Sequence, residues 1–364
     1  MATRGSGISP RRLVDVQHRS TYPALDRWLQ EMVQLPTGQS VTRMPNQEAS
    51  VTQQACEANA TSATKAPCAT IFTLPKPFTG DAHQIQQNAI GSWAILGPDI
   101  EVILIGDESG IVQAANQLGV RHLPDVKRNA LGTPLISSAF SAAAATANSD
   151  ILIYCNADVI LDRSFVDSVM AVAHDPTVGD SFLAIGRRTD VAVESLIDWS
   201  QAEALPTYFA NFRRYGKPAS IVCKEYFAFR RRDFQDIPPF AVGRGNWDNW
   251  MVASAKQRKI PVVNLSQTTS VFHQKHHYQH LPSTNASNNG SRKARLHCYV
   301  TGDEAQENQR LAGGKNLISG STSTWRLTDS GVVKNRFSFL NMEFWTDFGR
   351  FAALVRQLFF SARS

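Results

Sequence analysis

The fold is legible first in "SDILIYCNADVILDRSF", residues 149–165. Ile151 to Cys155 is a short unbroken apolar run, the pattern of a strand buried on both faces. It runs directly into Asn156-Ala157-Asp158 and then returns to an apolar patch. An unpaired carboxylate is costly to bury. At the carboxyl end of a strand it is tolerated, because open α/β sheets place their ligand crevice there. Asp158 therefore reads as a ligand-facing carboxylate, with a turn or cap residue as the plainer alternative.

Working outward, the same alternation recurs. Ala69–Leu74 is a first strand, ended by Pro75. "DAHQIQQNAIGSWAIL" spaces Ile85, Ile90, Trp93 and Leu96 as a helix does. "DIEVILIGD" is a second buried strand ending at Asp107, followed by the helix "IVQAANQLG" with its glycine stop and the short strand "VRHLPDV". "TPLISSAFSAAAATANS" predicts a helix capped by Thr133 with Pro134 in its first turn. Downstream, "SFLAIGRR", "EYFAFRR" and "IPVVNL" read as strands and "WDNWMVASAKQRK" as a helix. Strands and helices alternating at short intervals predict an α/β fold, a doubly wound, mostly parallel sheet with helices on both faces.

Flanking segments differ in composition. Residues 1–69 read as an appendage, with an apolar helical spacing at Leu25, Trp28, Leu29 and Met32 followed by a polar linker. Residues 70–315 form the predicted catalytic-type domain, and 316–364 a C-terminal extension. In that extension Phe344, Phe348, Phe351, Leu354, Val355, Leu358 and Phe359 share one helical face, flanked by Arg350, Arg356 and Arg363. Such a face fits docking on the protein's own core or peripheral contact with an anionic membrane surface.

Composition narrows the function classes. The 364 residues contain no apolar run long enough for a membrane span. The N-terminus lacks an apolar signal core, and the five cysteines are scattered and odd in number, so a reducing, cytoplasmic setting is predicted. Sequons at Asn59 and Asn285 then read as chance. The net charge is +6, and residues 211–260 hold eleven Lys/Arg against four Asp/Glu. That segment predicts either an anionic ligand or a solvated basic face. No RNP, KH or zinc-finger pattern is present, so no nucleic acid is expected.

Four places could carry chemistry. Asp158 suits a hard cation bridging a diphosphate, which needs only one or two protein carboxylates. Asp107 ends the second strand, where ribose or base recognition sits in nucleotide folds, or else caps a helix. "FHQKHHYQH" offers His273, His276, His277 and His280; one ligand, with the others at the surface or on phosphate, is the reading favoured here. "GRGNWDNW" brackets Asp248, a candidate general base, with Trp247 and Trp250, whose faces could stack on a sugar.

Taken in order, the strand ending at Asp107, "YCNADVIL", "GRR", "GRGNWDNW" and "FHQKHH" resemble the GT-A-type nucleotide-sugar glycosyltransferases. More narrowly they resemble a bacterial and plant group with NAD or NCD at the strand end and WDNW downstream. The resemblance covers about residues 69–315. It implies a transferase moving a sugar from a nucleoside-diphosphate donor to a carbohydrate or other hydroxyl acceptor, assisted by Mn²⁺ or Mg²⁺. It assigns Asp158 and His273 to the metal. Thr73, Asp107, Asn156, Asp158, Arg187 and Arg188 go to the donor, Trp247 and Trp250 to the acceptor, and Asp248 to catalysis. Asn156 stands where the family's DxD motif has its first carboxylate. The alternatives are a nucleotidyltransferase, for which Lys76 lacks the glycine-rich context, and a carbohydrate-binding protein on a decayed transferase fold.

Overall fold

A computed structural model describes residues 66–219, 223–276, 302–313 and 323–335. The chain divides into residues 1–62 and 63–364, and every described residue lies in the second unit. The expected N-terminal helix, the polar loop 281–296, both sequons and the C-terminal amphipathic face lie outside the described residues.

The main sheet is built around β1 (Ala69–Thr73), β2 (Ile100–Ile105) and β4 (Ile151–Cys155). β1 pairs in parallel with both of the others, setting Phe72 between Ile103 and Tyr154. β3 (Arg121–Leu123) extends it in parallel beyond β2. On the other side β9 (Tyr226–Arg230) runs antiparallel between β4 and β6 (Leu183–Ile185). β10 (Val262–Asn264) and the hairpin β12–β13 (Trp325–Thr328, Gly331–Lys334) complete nine strands. The sheet is mostly parallel, as the alternation predicts.

Residues of one strand point alternately to opposite faces. Ile71, Ile153 and Cys155 therefore join a core with α1 (Gly80–Ala94), α2 (Ile111–Leu118) and α4 (Arg163–His174). Phe72, Leu152 and Tyr154 join a second core with α3 (Ile136–Thr146) and α6 (Trp247–Gln257). Both sheet faces are thus covered, which is why the central strands carry unbroken apolar runs. Gly91 lets Trp199 lie on α1, since a Cβ there would fall 2.4 Å from the indole.

One local expectation fails. Thr133 does not cap α3, which starts at Ile136. The backbone of Pro134 and Leu135 bridges instead to Arg128 and Ala241, and Ile136 N donates to Phe240 O at 2.9 Å. Backbone pairing with a distant loop replaced the local cap.

A second sheet decides the site. β5 (Val159–Ile160), β11 (Val271–Gln274), β7 (Arg188–Val191) and β8 (Lys217–Pro218) pair in that order. β5 meets β11 antiparallel, and β7 meets it in parallel. The "LAIGRR" run is consequently not one strand: Gly186 and Arg187 separate β6 in the main sheet from β7 in the small one. α5 (Leu205–Tyr215) packs Phe212 against Phe272 beneath it.

Candidate functional site

β4 ends at Cys155, and the chain turns sharply, Val159 N donating to Asn156 O at 3.2 Å. β5 then leaves from the turn, so Asp158 sits at the junction of the two sheets. The small sheet's register brings His273 opposite Val159 on one side and Asp190 on the other. Residues separated by 115 positions therefore meet by strand pairing alone.

The strand carrying His273 is held by buried polar groups. Gln274 N donates to Asp158 O at 3.1 Å. The Gln274 side chain donates to Ile85 O at 2.8 Å and accepts from Asn88 at 3.1 Å, which ties α1 to the site. Such satisfied networks fix geometry where a lone buried amide would be costly.

At the centre, His276 Nε2 lies 2.9 Å and His273 Nε2 3.6 Å from Asp158 Oδ2. The ligand atoms of these three residues all lie within 4.8 Å of one another. The other carboxylate oxygen, Asp158 Oδ1, is buried with no hydrogen-bond partner among the described residues. Two imidazoles and a carboxylate with an unpartnered oxygen form a donor set suited to Mn²⁺, and less ideally to Mg²⁺. Burial would raise the Asp158 carboxyl, but the two imidazoles outweigh it and hold it well below the usual range. Burial would likewise lower His273, yet Asp158 lifts it to about 9.

Around this centre lies a second ring of charge. Asn156 Nδ2 donates to Glu225 Oε2 at 2.5 Å, and its backbone N to Glu225 O at 2.9 Å. Arg188 bonds Glu225 with one guanidinium nitrogen and sets Nε 2.9 Å from Asp190 Oδ1. Asp190 Oδ1 also faces His273 Nδ1 at 3.1 Å. Burial lowers the Lys76 ammonium, and the charges of Asp158 and Glu225 act against that shift. Lys76 follows β1, so it too stands at this end of the sheet.

The remaining expected residues scatter around the same edge. Thr73 ends β1 fully buried, and its hydroxyl has no partner among the described residues. Arg187 N donates to Ser266 Oγ at 2.7 Å. Asp107 lies exposed at the end of β2 in an ion pair with Arg128, which also holds Glu108 at 2.9 Å. Asp248 occupies the first turn of α6. Neighbouring Asn249 accepts from Lys224 Nζ at 3.2 Å, and Lys224 directly precedes Glu225, so residues 224–225 join the α6 start to Asn156.

Two expectations need correction. Trp247 is 5% exposed and belongs to the core, with Tyr154 and Phe227 at centroid distances of 5.1 and 5.2 Å. Its faces meet protein, not an open groove; Trp250, against Phe240, is half-buried. His276 is not a surface histidine but a hydrogen-bond partner of Asp158. The basic segment 211–260 is mixed: Arg213, Arg214, Lys217, Arg232, Arg258 and Lys259 are exposed, as a solvated basic face would have them, while several arginines also hold internal partners. Arg213 pairs with Asp162, Arg230 with Asp150 and Arg244 with Glu304, while Arg231 donates to the carbonyls of Ala147 and Ser149.

Glu225 and Asp190 were not among the residues the motifs singled out, and Lys76 entered only in weighing the nucleotidyltransferase alternative. The one available signal was the Arg188-Thr189-Asp190 spacing, which puts two opposite charges on one face of a strand.

The sequence model of the family described as "Glycosyl transferase family 2" matches residues 86–238. Among curated proteins none matches this chain. Among solved structures, S. aureus TarS 1-349 is similar at 11% identity and a TM-score of 0.27, over 36% of this chain and 38% of that one. Glucosyl-3-phosphoglycerate synthase from Mycobacterium tuberculosis, in complex with Mg²⁺ and uridine diphosphate, is similar at 14% identity and a TM-score of 0.35, over 58% of this chain and 72% of that one. This chain thus spans well under half the length of the TarS structure. Both likenesses are distant; the family match covers 153 of the 364 residues and takes in Asp158, Arg188, Asp190 and Glu225. Residues 86–238 therefore resemble a glycosyl transferase family 2 domain, and they lie on a mostly parallel α/β sheet.

Proposed function

We propose that the protein transfers a sugar from a nucleoside-diphosphate donor to a hydroxyl acceptor, with a divalent cation held by Asp158, His273 and His276. The observation that carries this reading is the cluster itself, two imidazoles and a carboxylate whose second oxygen is buried and has no partner among the described residues, at the end of the central strand. When bound, the cation would supply positive charge to the departing diphosphate.

The chain's own residues would do the rest. Lys76, beside Asp158 and Glu225 in electrostatic reach, would add a fixed positive charge on the donor side. Thr73 offers a buried hydroxyl at the end of β1 for the nucleotide, and Asp107 and Arg187 stand at the same edge. Asp248, at the start of α6, would accept the acceptor hydroxyl's proton. Trp250, half-buried at the α6 start, is the aromatic left for the acceptor side.

A thermal-shift panel of nucleoside diphosphates and their sugars, with and without Mn²⁺, tests the donor reading. Stabilisation by at least one diphosphate that requires Mn²⁺ is expected. Stabilisation by none, or equally by all without metal, would count against it.

A further inference from the structure

The three clustered residues leave one question open, which is how His273 is made to present a particular ring nitrogen. A neutral imidazole donates from one nitrogen and offers a lone pair at the other. Which does which is set by the partner of the nitrogen facing away from the ligand. Here that nitrogen is Nδ1, 3.1 Å from Asp190 Oδ1. An ionised carboxylate only accepts, so Nδ1 must carry the hydrogen.

Asp190 is itself held from two directions. It lies beside His273 in the parallel register of β7 and β11, which fixes the backbone. Arg188, two residues earlier on the same strand face, sets its Nε 2.9 Å from the same Oδ1 as an ion pair. Arg188 is anchored in turn by Glu225, whose other oxygen accepts from Asn156. The His273, Arg188 and Glu225 side chains are 7%, 14% and 9% exposed and Asp190 is 28% exposed, so water reaches this chain of contacts chiefly at Asp190.

Resting on the metal reading proposed above, we infer that Asp190 is a positioning residue: it holds the Nδ1–H of His273 and so turns Nε2 toward Asp158, with Arg188 and Glu225 locking Asp190 in place. The neutral tautomer with hydrogen on Nδ1 is the form that can ligate through Nε2. Without Asp190 the ring could rotate, or place its hydrogen on Nε2 and lose the lone pair aimed at the cluster. Carboxylates in this position contribute about 10–100-fold to metal affinity in other metal sites.

The test uses the full-length protein and Mn²⁺ alone, with free Mn²⁺ read by electron paramagnetic resonance. Asp190→Ala should bind Mn²⁺ about 10–100-fold more weakly than wild type. Asp190→Asn, which keeps an accepting oxygen, should recover a good part of that loss. Asp150→Ala, which breaks an ion pair on the far end of β4, should bind as wild type does. Asp190→Ala binding Mn²⁺ as tightly as wild type would overturn this inference and leave the metal reading standing. Wild type failing to bind Mn²⁺ would overturn both. Because the alanine variant could lose its fold, the tautomer is read independently on wild type. Nitrogen-15 histidine spectra of Mg²⁺-loaded protein should show His273 with its hydrogen on Nδ1. A hydrogen on Nε2 would refute the inference whatever the variants do.

Discussion

Asn156 shows how a departure from a motif is absorbed by its neighbours. Where the GT-A transferases it resembles have a first carboxylate, this chain has an amide, which donates to the buried carboxylate of Glu225 at 2.5 Å. Restoring the motif by Asn156→Asp would set two carboxylates against each other. One must take up a proton or the contact must open. We expect the variant to lose about 1–3 kcal/mol of stability near neutral pH by chemical denaturation. Asn156→Asp combined with Glu225→Gln should regain part of it, since the amide–carboxylate pair is then exchanged, although Arg188 loses its buried Glu225 partner. A single variant as stable as wild type would show that the contact does not matter. His273 gives a pH prediction. Its folded value of about 9 lies above the ordinary histidine value of about 6.5. In metal-free protein its stabilising contribution is therefore full below about pH 6.5 and lost as pH rises through about 9. The melting-temperature gap between wild type and His273→Gln should narrow over that interval; a gap that widens with pH would reverse the sign and reject the Asp158 pairing.

The elements divide into those the chain announces locally and those it does not. β1, β2 and β4 are unbroken apolar runs because both their faces are covered by helices, and that pattern survives in the sequence. The small sheet has no such signature. β5, β7 and β8 are two to four residues long and drawn from separated places, so no local periodicity marks them. That is why Asp158 could be read as a strand-end carboxylate and His273 ordered after it, while Asp190, Glu225 and the role of His276 could not. α6 misled differently. The two tryptophans at its start suggested a ligand face, and Asn246 just before them adopts a left-handed φ of 80°, yet the first indole turns into the core. Trp247→Ala should consequently cost about 3–5 kcal/mol in denaturant unfolding, as buried aromatics do. Trp250→Ala, at a half-buried position, should cost less. The reverse order would return Trp247 to the surface. Gly91→Ala should displace Trp199 from α1, visible as a red shift in tryptophan emission, because the added methyl has no room. An unchanged spectrum would mean that the loop yields without moving the indole.

At the scale of the molecule, the two sheets divide the labour. The large one supplies rigidity and the edge at which Thr73, Asp107, Asn156 and Asp158 end their strands; the small one brings His273, Arg188 and Asp190 to that edge. Residues 224–225 connect it to the start of α6, where Asp248 stands. Several arginines of the basic segment hold loops and helices together, among them Arg230, Arg231 and Arg244, while six of its eleven basic residues are exposed. No helix among the described residues is long and apolar enough to cross a membrane. The central claim is that Asp158 and its two histidines hold a cation for glycosyl transfer. Its most direct test is the release of nucleoside diphosphate from a panel of nucleotide sugars by the full-length protein, in Mn²⁺ and in chelator, for wild type and Asp158→Asn. At least one donor should be turned over, slowly without an acceptor, and the chelator and the substitution should each slow release by about 10²-fold or more. Release from that donor at the wild-type rate by Asp158→Asn, or release indifferent to chelation, would contradict the account.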